Sequence, residues 1–235
     1  VRRLLPLLLA GLVGPAGLVA GLAGPAAASS DVRLDGVHVR LRDHTRQVVT
    51  VNHTRGYHAR VVFWSLRDGT WQRRFQAADG RVGYGGLVIG HRRHQGTGTT
   101  PLGTYTLPSA FGTHLRADRW GLPYREIRRG DFWVEDNASA YYNRYRNQRQ
   151  GGFRWRLPVT AENGSERLTD YPQQYEYSVV TGFNQRQVRH RGAGIFLHVN
   201  GSGATAGCVS APRWFLRRAM VHLDADQVPL IAIGR

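Results

Sequence analysis

Ala59-Arg60-Val61-Val62-Phe63-Trp64-Ser65 is a run of β-branched and aromatic residues, and Thr70-Trp71-Gln72-Arg73-Arg74-Phe75-Gln76 follows after Asp68-Gly69. Both runs have strand length, and an Asp-Gly pair between them is a strong local signal for a hairpin turn. The same texture extends outward. Val37, Val39 and Leu41 alternate with polar residues, and Gln47–Val51 is another β-branched run. Leu87–Ile89, Gly103–Leu107, Phe132–Val134, Tyr177–Thr181, Ile195–Val199 and Val228–Ile233 are further strand candidates. The chain holds 29 glycines and ten prolines, enough for tight turns between many short strands. That pattern predicts a mainly β domain, a sandwich or a barrel.

Two helices are expected. Asn137–Asn147 places Ala138, Tyr141, Tyr142 and Tyr145 at helical spacing. Ser210–Leu223 carries Leu216, Met220 and Leu223 on one face, with Ser210 as N-cap and Pro212 in the first turn. Trp133 is expected in the core. The polar stretch Arg146–Gln173 reads as a loop or flap over one face.

The first residues have another character. Arg2 and Arg3 precede an apolar stretch from Leu4 to about Ala23, and Ala26-Ala27-Ala28 precedes Ser29. A basic start, an apolar middle and a small-residue end predict a secretory signal peptide over residues 1–28, with one domain over 32–235. Gly14, Pro15 and Gly17 interrupt the stretch, which argues against a retained anchor, and no later segment has transmembrane length. The expectation is a secreted, extracytoplasmic protein.

Net charge is +16, and +14 without Arg2 and Arg3. Such a surface attracts polyanions. For an exported protein the expected partners are anionic cell-wall polymers. No nucleic-acid-binding pattern is visible, and the charge is scattered, so no specific nucleic-acid partner is expected. His91 and His94 flank Arg92-Arg93 without a nearby carboxylate, an unfavourable setting for a metal, and no metal or cofactor is called for.

Cys208 is the only cysteine. Exported proteins usually keep cysteines paired, so a lone thiol asks for a chemical reason. It stands in Thr205-Ala206-Gly207-Cys208-Val209-Ser210, ten residues after His198 in Ile195-Phe196-Leu197-His198-Val199. A thiol, a histidine at a strand end and a small-residue turn are the parts of a cysteine nucleophile with its base. Gly207 permits a sharp turn, and N–H groups at Gly207 and Cys208 are candidates for holding an oxyanion. A helix starting at Ser210 would lower the thiol pKa through its dipole. The bland alternative is a small buried hydrophobe.

These residues resemble the catalytic signature of the L,D-transpeptidase (YkuD-like) family. The likeness rests on Ile195-Phe196-Leu197-His198 through Thr205-Ala206-Gly207-Cys208-Val209. Gly98-Thr99-Thr100-Pro101-Leu102-Gly103-Thr104-Tyr105 resembles the strand entry found upstream in that family, and Trp133–Asp136 with Tyr141–Asn143 resembles an actinobacterial branch. Val199, Ala206 and Ser210 depart from the commonest motif, and the His-to-Cys interval is shorter.

The resemblance implies a β-sandwich or barrel of L,D-transpeptidase type with a few short helices, one after the catalytic cysteine. It implies a cell-wall acyltransferase acting on peptidoglycan stem peptides. The Cys208 thiolate attacks the carbonyl of the third-position diamino acid, D-alanine leaves, and an amine of a neighbouring stem resolves the thioester. No cofactor is needed, and carbapenem-type inhibitors should acylate Cys208. Thr205 is assigned to turn orientation or substrate contact, and Tyr141, Tyr142 and Asn143 to the donor groove, with packing as the other reading of Tyr141 and Tyr142. Two alternatives stay open. With water as acceptor the enzyme is an L,D-carboxypeptidase, and without chemistry the chain is a basic wall-binding protein.

Overall fold

The computed structural model describes residues 30–235, and the signal peptide expected over 1–28 lies outside the described residues. Strands make up 41% of the structure and helices 11%, so the molecule is mainly β, as expected.

Strands β1 (Asp31–Leu34) and β2 (Val37–Arg40) form a small hairpin. Strands β3 (Gln47–Arg55), β4 (His58–Arg67) and β5 (Thr70–Arg81) run antiparallel in succession. The β4–β5 turn is the expected Asp68-Gly69, with φ of 48° and 74°. Two positive φ values match the twist of the flanking strands, which is why Asp-Gly is favoured there. The chain continues through β6 (Leu87–Ile89), β7 (Thr100–Thr106), β8 (Ser109–Gly112) and β9 (Tyr124–Glu126). A separate three-stranded sheet follows, built from β10 (Asp131–Trp133), β11 (Tyr145–Asn147) and β12 (Glu166–Arg167). The remaining elements are β13 (Tyr177–Val180), β14 (Phe196–Val199), β15 (Val209–Ala211), the ten-residue helix α1 (Arg213–His222) and β16 (Leu230–Gly234).

Eleven strands form the main sheet, in the order β6-β7-β16-β3-β4-β5-β15-β14-β13-β8-β9. Alternation along each strand divides its side chains between two faces. Val49 and Val51 of β3, Leu197 and Val199 of β14, and Ile231 and Ile233 of β16 join the core that encloses Phe215, Leu216, Ala219 and Met220 of α1. Their neighbours face the other way. Val48, Leu230 and Ala232 pack against Leu34, Val37 and Val39 of the β1–β2 hairpin. Phe196 packs with Phe111, Trp133, Tyr142, Leu168 and Tyr175, beneath the smaller sheet and its loops. The main sheet is therefore covered by the helix on one face, and by the hairpin and the smaller sheet on the other.

The expected helix over Asn137–Asn147 does not form. The Asp136 carboxylate accepts the Ala138 N–H (3.0 Å) and the Ser139 hydroxyl accepts the Tyr141 N–H (3.0 Å). These local side-chain bonds favour turns over helix. Asn143 then adopts φ 55°, which ends any helical run, and the chain enters β11. The tyrosine spacing came from unrelated partners. Tyr142 is buried, Tyr145 bonds Asp131 (2.7 Å), and Tyr141 stacks under Arg146.

The second helix is shorter than expected. Ser210 lies in β15, where its hydroxyl donates to Asn200 (2.7 Å), so it is not the N-cap. Pro212 occupies the cap position, and α1 begins at Arg213. Trp133 is buried as expected. The stretch 146–173 is a covering flap that includes β12.

Candidate active site

Strands β14 and β15 run parallel, with Leu197 beside Val209 and His198 beside Ser210. Cys208 immediately precedes β15, two positions from Ser210. Alternation thus puts Cys208 and His198 on the same face, opposite the α1 core. Both line a cavity of about 400 Å³, within the size range of small-ligand sites. The cavity lies where the flap meets the main sheet, and Arg93, Glu135, Glu166 and Tyr175 also line it. Glu135 follows β10, Glu166 lies on β12 and Tyr175 just precedes β13, and sequence reading had given none of the four a role.

The turn holding Cys208 is braced from several sides. Thr205 bridges it: its hydroxyl donates to the Cys208 carbonyl (2.7 Å) and accepts the Gly207 N–H (3.2 Å). The Thr205 backbone pairs with Val82 and Tyr84, which fastens the loop to the segment after β5. Thr100, fully buried, donates to the Gly207 carbonyl (2.8 Å) and accepts the Gly83 N–H (2.8 Å). Gly207 itself has φ 130°, and a Cβ there would meet Arg93 Nη2 at 2.7 Å and the Thr99 carbonyl at 2.9 Å. Only glycine combines that backbone with that close approach.

The structure places the expected site residues as follows from this bracing. Thr205 orients the turn and also borders the cavity. Because the Gly207 N–H is directed at Thr205, it is not free to receive an oxyanion as expected. Tyr141, Tyr142 and Asn143 do not line the cavity. Tyr141 lies outside, stacked with Arg146. The Tyr142 hydroxyl joins Gln95 (2.7 Å) and the Gly192 N–H (2.9 Å). Asn143 is an internal strut: Oδ1 accepts from Trp133 (2.8 Å) and the Gly194 N–H (3.1 Å), and Nδ2 donates to the Phe183 and Asn184 carbonyls. It thereby fixes Gly194, whose carbonyl touches the thiol.

The Cys208 thiol donates to the Gly194 carbonyl (3.1 Å), and its sulfur accepts the Phe196 N–H (3.4 Å). Burial pushes the thiol well above its ordinary pKa, and Glu166 adds to that, while the Phe196 N–H and the Arg93 cation oppose it. The expected lowering by a helix dipole is absent for a geometric reason: β15 and Pro212 separate Cys208 from the start of α1, and the dipole acts only within the first turn.

His198 Nδ1 lies 2.8 Å from the Val199 carbonyl. A carbonyl only accepts, so Nδ1 carries the proton and Nε2 is the basic nitrogen. Burial lowers the imidazole pKa to about 4, against the bond to Val199. Tyr175 meets the imidazole edge-on, with ring centres 5.5 Å apart, and its hydroxyl donates to Glu166 (2.5 Å). Burial holds Glu135 and Glu166 above the carboxylate range. At neutral pH the cavity therefore contains a thiol and a neutral base beside one fixed cation, Arg93.

No protein-family model matches this chain, and no curated protein matches it. Among solved structures, that of Bdellovibrio bacteriovorus Bd1075 aligns with a TM-score of 0.37 and 13% identity, over 81% of this chain and 47% of that one. The chain thus spans about half the length of that structure, and a likeness this distant carries no argument.

Proposed function

We propose that the protein is a peptidoglycan L,D-transpeptidase, a cysteine acyltransferase acting outside the cytoplasm at the cell wall. The observation that carries this reading is that Cys208 and His198 line one cavity, with the imidazole held as a neutral Nε2 base. The resemblance of the surrounding segments to L,D-transpeptidases supplies the substrate class.

In this reading the thiol turns from the Gly194 carbonyl toward His198. The thiol proton passes to Nε2 as sulfur bonds to the carbonyl carbon of the third-position diamino acid. The oxyanion is held by the Cys208 N–H, since the Gly207 N–H is engaged by Thr205. The C–N bond to D-alanine breaks, and His198 returns the proton to the leaving amine. A neighbouring stem amine then attacks the thioester and gives up its proton to His198, a new C–N bond forms as the C–S bond breaks, and His198 passes that proton to the departing sulfur, restoring the thiol. Two acyl transfers replace one difficult amide exchange. The neutral Cys–His pair couples proton transfer to attack, so no standing thiolate is exposed to oxidation.

The test is product analysis by mass spectrometry after incubation with a tetrapeptide-stem muropeptide, beside Cys208→Ala. A cross-linked dimer made only by the wild type is expected. Tripeptide without dimer would make water the acceptor and the enzyme an L,D-carboxypeptidase. Neither product, and no carbapenem adduct on folded protein, would leave the basic wall-binding protein as the better account.

A further inference from the structure

Arg93 follows a short turn after β6, lines the cavity and is 5% exposed. Nε donates to the Thr99 carbonyl (2.7 Å) and Nη1 to the Arg191 carbonyl (3.2 Å). Nη2 has no acceptor among the described residues, yet it lies against Gly207, next to the nucleophile. None of the ion pairs among the described residues includes Arg93. A guanidinium remains charged even when buried, and a buried charge without a counter-ion is costly. Glu135 is a partial counter-charge only, because burial favours its protonated form. A cation has thus been placed beside the nucleophile with donors to spare.

We infer that Arg93 is the specificity-determining residue of this site and binds the terminal carboxylate of the leaving residue through its free Nη2 donors. This rests on the acyl-transfer reading above. In a substrate whose scissile bond precedes its last residue, the terminal carboxylate lies within about 4 Å of the carbonyl under attack, one residue's length along the chain. Nη2 lies 2.7 Å from where a Cβ on Gly207 would stand, one residue before Cys208, and Arg93 and Cys208 line the same cavity. Charge-assisted bonds from a guanidinium are the strong way to hold a carboxylate. Such an anchor selects stems ending one residue after the diamino acid and rejects longer stems or internal bonds. The diamino acid's own side-chain carboxylate presents the same chemistry, so the test separates the two sources.

Three tetrapeptide stems are compared by kcat/KM for thioester formation: one with free D-alanine, one with D-alaninamide, and one amidated on the diamino acid. Wild type should lose roughly 10- to 100-fold on D-alaninamide, the range for a lost hydrogen bond to a charged group, and little on the amidated diamino acid. Arg93→Gln should turn over the free acid at about the rate of the amide, and Arg93→Lys should keep part of the preference. Equal rates for acid and terminal amide in wild type would overturn the inference. So would a loss confined to the amidated diamino acid, or a preference that survives in folded Arg93→Gln. The wild-type comparison stands even if neither variant folds. Calorimetric binding of the acid and the amide to Cys208→Ala separates this inference from its premise. Tighter binding of the acid without any thioester in wild type would sink the acyl-transfer reading and keep the carboxylate site, while equal binding would sink the carboxylate site.

Discussion

Cys208 and His198 each carry a prediction that depends on burial. A raised thiol pKa means that alkylation of Cys208 by iodoacetamide should still be climbing at pH 9, where an ordinary thiol approaches its plateau. A plateau near pH 7 would reveal a preformed thiolate–imidazolium pair instead. For His198 the sign follows from linkage. Its folded pKa, about 4, lies below the unfolded value of 6.5. The unfolded chain therefore binds the proton first, and this group's stabilisation is complete above pH 6.5 and is lost as pH falls toward 4. The change is on the order of 3 kcal/mol. Glu135 and Glu166 act with the opposite sign, because their folded pKa values are raised. Urea unfolding of wild type and His198→Gln at pH 7 and pH 4.5 isolates the histidine: the variant should lose less stability on acidification. Gly207→Ala should abolish activity and destabilise the fold by about 1–3 kcal/mol, since a Cβ meets Arg93 Nη2 and the Thr99 carbonyl in a left-handed backbone. Thermal unfolding and product analysis check both effects.

Elements act on the site through the carbonyls and N–H groups they present. The start of β7 supplies Thr100, whose hydroxyl ties Gly207 to Gly83. Thr100→Val keeps the shape and removes the hydroxyl, leaving buried backbone groups unpaired, so a loss of about 1–3 kcal/mol and slower thioester formation are expected. The segment between β10 and β11 supports the opposite wall. Asn143→Ala removes four hydrogen bonds, three of them buried, and frees Gly194, so stability should fall by about 2–4 kcal/mol, with activity impaired although Asn143 does not line the cavity. Denaturant unfolding and turnover measurements test both variants. Asn143 also shows why the expected helix over Asn137–Asn147 does not form. The tyrosines around it have helical spacing, but Asp136 and Ser139 hold the backbone in turns. Periodicity reports a shared face only when one element carries all the residues, and here each side chain found a different neighbour. Strand runs such as Ala59–Ser65 were legible because a two-residue period and an Asp-Gly turn are local signals.

The whole molecule adds a charge and a layered architecture. All 32 lysine-or-arginine positions are arginine, so this part of the charge is fixed across the physiological pH range. Binding to a phosphate- or carboxylate-rich wall polymer should weaken at least about tenfold between 50 and 500 mM salt and be unchanged in Cys208→Ala, as co-sedimentation would show. Salt-independent binding would point to a specific polymer site instead.

The amino-acid sequence by itself determined the mainly β character, the β4–β5 hairpin, the apolar face of α1 and the candidacy of Cys208 and His198. Each depends on neighbours within a few residues: side-chain alternation, turn chemistry, helical spacing, or a thiol with no partner. Only the tertiary structure decided that β14 and β15 lie parallel, so that Cys208 and His198 share a face. It also decided that Ser210 pairs with Asn200 rather than capping a helix, and that Arg93, more than a hundred residues away in the chain, closes in behind Gly207. Those outcomes depend on which strands become neighbours and which groups become buried. Burial, unlike periodicity, belongs to the folded whole: it raises the thiol pKa, lowers that of the imidazole and leaves one guanidinium with donors unused.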